Sequence, residues 1–171
     1  GENLSKVILP DDSETSYKYD SQGRVITQTE ANGLITNIQY DEAGNIIRLY
    51  DNKDLDENYT YDSANNLLTE TNSLGEKTSY TYDSEGRVTK IDYADKTSES
   101  FSYDEAGNLI KSVDIYGVGT EYTYDTSGNL IKEASGEDVI EYTYDNAGNL
   151  LTEKEADGSK SEYKYDAKGN I

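Results

Sequence analysis

The chain has 171 residues and a formal charge of -20, set by 35 acidic against 15 basic side chains. Phosphate backbones and anionic membrane surfaces are repelled by such a charge over a Debye length of about 8 Å, which makes them poor partners, and the apolar stretch "KVILP" is too short for a span, so neither nucleic acid binding nor membrane insertion is expected. Cysteine is absent, so disulfides, thiol nucleophiles and Cys-based metal sites are excluded as well.

Only a third of the residues are apolar, and the chain holds 17 Tyr and one Phe with no Trp or Met. Tyrosine therefore supplies nearly all the large aromatic surface. Low hydropathy with high charge can signal disorder, but disordered chains are poor in the aromatic and β-branched residues that abound here. The length suffices to bury a core, and the tyrosines are expected to fill it.

Taken in chain order, Tyr-Asp pairs recur with Gly three residues after the Asp: Tyr19, Asp20, Gly23; Tyr40, Asp41, Gly44; then Tyr61 and Asp62, where Asn65 replaces Gly. The series continues through Tyr82, Asp83, Gly86; Tyr103, Asp104, Gly107; Tyr124, Asp125, Gly128; Tyr144, Asp145, Gly148; and Tyr165, Asp166, Gly169. The spacing is 21 residues, with one spacing of 20 between Tyr124 and Tyr144. An aromatic stands two residues before each pair, Ile38 being the substitute.

Each motif predicts a hairpin corner. Asp starts a type I turn and caps a backbone N–H, and the Gly or Asn takes a left-handed position, giving a three-residue loop. In "YDEAGNI" this sets Asp41 opposite Asn45, Tyr40 opposite Ile46 and Ile38 opposite Arg48. Between corners lies a second turn, expected to be a two-residue type I′ loop at Asn32-Gly33 and Asp157-Gly158. By the same arithmetic it falls at Asp11-Asp12, Lys53-Asp54, Leu74-Gly75, Asp95-Lys96 and Tyr116-Gly117. The short repeat predicts a bulged loop at Gly136, Glu137 and Asp138.

This register aligns Tyr19, Val25, Tyr40, Ile46 and their successors in one row. A neighbouring row runs Tyr17, Thr27, Ile38, Arg48, Tyr59, Thr69, with Lys and Arg stems lying on rings. Ile26, Ile47, Leu68, Ile110, Ile131 and Leu151 then fall on the opposite face. The fold class is all-β: consecutive antiparallel hairpins of about 21 residues, about eight repeats over residues 1–171, forming one array. Sixteen strands spaced at about 4.8 Å would make a ribbon roughly 75 Å long, so the sheet is expected to curl or spiral.

Ser, Asp and Glu follow the repeat phase instead of gathering at one place, and His is absent, so no catalytic residue or cofactor is assigned. Asp-rich turns such as "DSEGR" at Asp83 to Arg87 invite calcium, but a capping Asp needs no metal, and no metal ligand is assigned. Tyr50, Tyr93 and Tyr116 break the repeat phase and are the candidate ligand-binding residues, suited to the apolar face of a sugar.

The pattern Tyr-x-Tyr-Asp-x-x-Gly-Asn-Leu, as in "YTYDTSGNL" at Tyr122 to Leu130, resembles the YD or RHS (rearrangement hotspot) repeat family over essentially the whole chain. In that family such hairpins form sheets that spiral into hollow shells, in bacterial polymorphic toxins, wall-associated and secreted proteins and the extracellular part of animal teneurins. The resemblance implies a noncatalytic structural module of a secreted or cell-surface protein of bacterial origin. Its implied partners are flanking repeats or domains of a longer parent chain, and its alternative role is adhesion to carbohydrate or a cell-surface protein. Strand edges at both ends predict end-to-end self-association. About eight repeats are too few to close a sizeable shell, so encapsulation is not expected of this piece alone.

Overall fold

The structure is a computed structural model that describes residues 4–166 and 168–171. Runs rich in Tyr, Thr, Ile and Val between Asp, Asn and Gly clusters form strands, as pleated, half-buried surfaces favour these side chains. Their order is β1 (Lys6–Ile8), β2 (Glu14–Tyr19), β3 (Val25–Thr29), β4 (Ile35–Tyr40), β5 (Ile46–Asp51), β6 (Asp56–Tyr61), β7 (Leu67–Thr71) and β8 (Lys77–Tyr82). There follow β9 (Val88–Asp92), β10 (Ser98–Tyr103), β11 (Leu109–Val113), β12 (Gly119–Tyr124), β13 (Leu130–Ser135), β14 (Asp138–Tyr144), β15 (Leu150–Lys154) and β16 (Lys160–Glu162). The sheet order is the sequence order, β1 through β16, a meander of consecutive antiparallel hairpins. The chain divides into two units, Gly1–Gly86 with Asp92–Asp95 and Arg87–Ile91 with Lys96–Ile171.

The expected core is absent: among the described residues none is fully buried. The accessible surface is 11687 Å², against roughly 8,400 Å² for a compact monomer of this mass. A sheet that packs against no second layer buries its side chains only against their neighbours within the sheet. Cross-strand pairs of about 0.2–1 kcal/mol each, repeated many times, therefore carry the fold.

The corners form as predicted. Asp41 N–H donates to the Asn45 carbonyl (3.0 Å) and Gly44 N–H to the Asp41 carbonyl (3.2 Å), with Gly44 at φ 99°. Asn65, the substitute, sits at φ 65°, where Asn is tolerated among non-glycine residues.

The second turns differ from expectation. Glu30 N–H donates to the Leu34 carbonyl and Gly33 N–H to the Glu30 carbonyl, both at 2.9 Å, so the loop has three residues and repeats the corner geometry. Only Gly33, at φ 82°, is left-handed, whereas type I′ needs both central residues there. The same five-residue closure spans Leu9–Ser13, Asp51–Leu55, Asn72–Glu76, Asp114–Val118 and Glu155–Ser159. The short repeat is the exception: Ser135 pairs directly with Asp138, leaving a two-residue loop with Gly136 at φ 62°. A type II′ turn places Gly at that first loop position. No bulge is needed, because the missing residue is the one that a three-residue loop would have held.

A second correction concerns register. Tyr40 pairs with Ile46 as predicted, but Gln39 then pairs with Arg48 and Ile38 with Leu49. A bulge sets Ile46 and Ile47 together against Tyr40, and every pair beyond it shifts by one. The shift recurs at Tyr19, Tyr61, Tyr103, Tyr124 and Tyr144. Beyond the second turn, Thr29 pairs with Ile35 and Thr27 with Asn37, so Val25 does not face Tyr40 in the ladder.

Candidate functional site

The shifted register sorts the two faces more sharply than the expected one. Paired residues share a face, and alternation carries that face along each strand. Tyr17 pairs with Gln28, Tyr59 with Glu70, Phe101 with Ser112, Tyr122 with Glu133 and Tyr142 with Glu153. The predicted row of Tyr17, Thr27, Ile38 and Arg48 is not formed. Lys18, Arg48, Lys77, Lys111, Lys132 and Lys154 pair instead with Thr27, Gln39, Thr71, Ser102, Thr123 and Glu141, all on the other face.

Ile26, Ile47, Leu68, Ile110, Ile131 and Leu151 are also corrected. Counted back from Gln28, Ser112 and Glu133, alternation brings Ile26, Ile110 and Ile131 to the tyrosine face. Ile110 lines a groove with Tyr122 and Tyr124, and Ile131 lines one with Tyr142 and Tyr144. One face thus joins phenols and aliphatic chains with the carboxylates of Glu57, Glu70, Glu133 and Glu153; the other carries the strand cations. The tyrosines of the first face are half-buried, as are Ile26, Ile47, Ile131 and Leu151, although Leu68 and Ile110 are exposed; on the other face Lys18, Gln39, Thr60, Lys111, Lys132 and Thr143 are exposed.

In six of the eight Tyr-Asp motifs the tyrosine has a specific task. Its ring reaches back over the preceding hairpin, and its hydroxyl donates to a backbone carbonyl 15 residues earlier. Tyr40 bonds Val25 (2.9 Å), Tyr61 bonds Ile46 (2.9 Å), Tyr82 bonds Leu67 (2.8 Å), Tyr103 bonds Val88 (2.9 Å) and Tyr124 bonds Leu109 (2.9 Å). Tyr19 reaches Leu4 in the same way. Val25, Ile46, Leu67, Val88 and Leu109 are each the first residue beyond the earlier corner. For Tyr40, Tyr61, Tyr82 and Tyr124 the pairs given above show that residue opening a bulge, where the ladder is interrupted, so the phenol satisfies a carbonyl the strand leaves available.

The aspartates brace the corners from within. Asp125 Oδ1 accepts N–H bonds from Ser127 (2.8 Å) and Asn129 (2.9 Å), and Oδ2 accepts the Asn129 side-chain amide (2.9 Å). These donors favour the charged carboxylate, and the Asn129 side chain foremost holds Asp125 below the usual carboxylate range. Asp62, Asp104, Asp145 and Asp166 are lowered in the same way by Asn66, Asn108, Asn149 and Asn170. At Asp20 the partner is Arg24, which also donates to the Asp41 carbonyl (3.2 Å) and lies 4.5 Å from the Tyr40 ring centroid, linking one corner to the next. Arg87 does the same with the Asp104 carbonyl and the Tyr103 ring.

A second set of phenols ends on carboxylates. Tyr59 donates to Glu57 (2.6 Å), Tyr80 to Glu70 (2.7 Å) and Tyr163 to Glu153 (3.2 Å). The Glu57 bond first, then burial, pushes Tyr59 up to about 12; burial first, then the Glu70 bond, does the same for Tyr80.

The three candidate binding tyrosines stand in different local settings. Tyr50 stands on β5 on the cation-bearing face, under the Arg48 guanidinium at 4.5 Å, with Arg48 paired to Asp56 at 2.9 Å. Tyr93 follows β9, half-buried and electrostatically coupled to Tyr80. Tyr116 tips the turn between β11 and β12 and is 84% exposed.

Known proteins share this pattern. Solved chains with the same fold include the complex titled "TcdB2-TccC3-Cdc42", 20% identical over 93% of this chain with a TM-score of 0.75. TcdB2-TccC3 without its hypervariable C-terminal region aligns over 95% at 20% identity and TM-score 0.75. A Photorhabdus luminescens Tc holotoxin pore aligns over 86% at 22% and 0.69. At these identities the likeness is one of fold, and this chain spans about a tenth of each solved chain. No curated protein sequence matches it. The Teneurin YD-shell family model matches residues 2–115 and 34–171, so the chain belongs to the Teneurin YD-shell family.

Proposed function

We propose that this chain is a noncatalytic wall segment of a larger secreted or cell-surface shell protein of bacterial origin. Its direct partners are then flanking repeats or domains of the parent chain. The observation that carries this reading is the pairing of a layer without a core to a recurring staple: the phenols of Tyr40, Tyr61, Tyr82, Tyr103 and Tyr124 each fasten a hairpin to the one before it, so the unit extends by addition. Such a layer divides two compartments, presenting phenols and carboxylates to one and strand cations to the other. The test is a graft of this chain in place of the equivalent repeats of a solved relative, with assembly followed by electron microscopy. A closed shell is the expected result; a graft that folds yet prevents closure overturns the reading.

A second reading, adhesion to carbohydrate or a cell-surface protein, draws support from the exposure of Tyr116. Binding on a glycan or surface-protein array that disappears with Tyr116→Ala, but survives Tyr50→Ala and Tyr93→Ala, would establish it at that turn. An empty array would remove it.

A further inference from the structure

Tyrosine is the only readily oxidised side chain in this protein, since Cys, Met, Trp and His are all absent and 17 Tyr are present. A one-electron oxidant acts on a phenol most readily when the hydroxyl proton can leave together with the electron, and that requires a base in contact with the hydroxyl. The structure divides its phenols on this criterion. Tyr61 and Tyr82 donate to the carbonyls of Ile46 and Leu67, and a peptide carbonyl is not a base near neutral pH. Tyr59 and Tyr80 lie two residues earlier on the same strands and donate to Glu57 at 2.6 Å and Glu70 at 2.7 Å. All four are half-buried, so exposure does not separate them.

We propose that Tyr59 and Tyr80 undergo one-electron oxidation, and hence tyrosine nitration, in preference to Tyr61 and Tyr82 on the same strands, because each phenol stands ready to pass its proton to a bonded carboxylate. With nitrogen dioxide radical as oxidant, the first step takes one electron from the phenol. The O–H bond breaks, the proton passes to Glu57 or Glu70, and nitrite leaves. A second nitrogen dioxide radical then joins the ring carbon beside the oxygen, and the ring hydrogen moves to that oxygen to give 3-nitrotyrosine. Two radicals are consumed and one nitrite is released per modified ring; the carboxyl afterwards returns its proton to water.

The experiment generates nitrogen dioxide radical by radiolysis of nitrite and maps nitrotyrosine by peptide mass spectrometry at low conversion. The readouts are the Tyr59 to Tyr61 and Tyr80 to Tyr82 ratios, each an internal comparison on one strand. Both ratios are expected to exceed one by about a hundredfold, the lower end of what a positioned base contributes to proton transfer. Glu57→Gln and Glu70→Gln keep a side-chain carbonyl that accepts the hydroxyl but remove the base, and each should bring its own ratio close to one. Circular dichroism confirms that the variants fold. Ratios near one in the parent protein, or ratios that the Gln variants leave unchanged, would overturn the proposal.

Discussion

Apart from the turns at Gly136 and Asp51–Leu55, the two edges of this sheet use one turn geometry and hold it in different ways. On the Tyr-Asp edge, the corners are braced by their own Asp, and those following Tyr40, Tyr61, Tyr82, Tyr103 and Tyr124 are fastened to the previous repeat by a phenol, with an arginine or an amide adding links, as where Asn45 reaches Asn65 at 2.8 Å. On the opposite edge the caps are local, such as Asp114 accepting from Tyr116 and Val118. Links between repeats there are of varied kind: Asn52 bonds Ile35 and Gly33, and Ser73 bonds Asp56. The difference explains why the chain repeats itself closely at one edge and varies at the other. A corner must suit its own strands and the neighbouring corner as well, whereas a second turn need only reverse the chain.

The largest test of this contrast is acid. The corner carboxyls are lowered in the folded state, so their stabilisation is present above the unfolded value of 3.8 and is lost as pH falls through the lower folded values. From pH 7 down toward the isoelectric point near 4.1, relief of the -20 charge acts in the opposite direction. Thermal melts followed by circular dichroism should therefore show stability rising toward pH 4 and falling steeply below it. A steady decline from pH 7 would contradict the corner account.

Next in size is a substitution at the variable edge. Lys96 sits at φ 72°, a left-handed strain that Gly relieves, so Lys96→Gly should stabilise by about 1 kcal/mol in urea unfolding. Asp95→Gly, at the neighbouring position of the same turn, should bring no such gain. Arg24→Asn should cost about 0.5 kcal/mol, because Asn at this phase still caps Asp20 as it does in other repeats while the link to Asp41 is lost. The smallest effect is Tyr116→Ala, within about 0.5 kcal/mol, since that side chain is 84% exposed.

Much of this architecture could be read from the sequence. The 21-residue phase gave the strands, and Asp with a following Gly gave the corners, because those residue types have few other reasons to recur together. The bulge was hidden because no glycine marks it, yet the doublets Val25-Ile26, Ile46-Ile47, Leu67-Leu68 and Leu109-Ile110 put two apolar residues where alternation calls for one. That signal would have moved the strand cations off the tyrosine rows. The second turns were misjudged because Asn-Gly and Asp-Gly suggest type I′ loops, while Asp51, Asn72 and Asp114 stand at the same turn-opening position as the corner aspartates. The hydroxyl staple also left a trace. The first aromatic position admits Phe101 and Ile38, but the second is Tyr in every repeat, which ring packing alone does not demand.

The most direct measurement replaces Tyr19, Tyr40, Tyr61, Tyr82, Tyr103 and Tyr124 with Phe, singly and together, and follows urea unfolding. Each ring is kept and only the hydroxyl is removed, so every single change should cost about 1 kcal/mol, with the losses accumulating until the combined variant no longer folds cooperatively. A sixfold variant as stable as the parent would show that the rings, and not the bonds from one repeat to the carbonyls of the last, hold the sheet together.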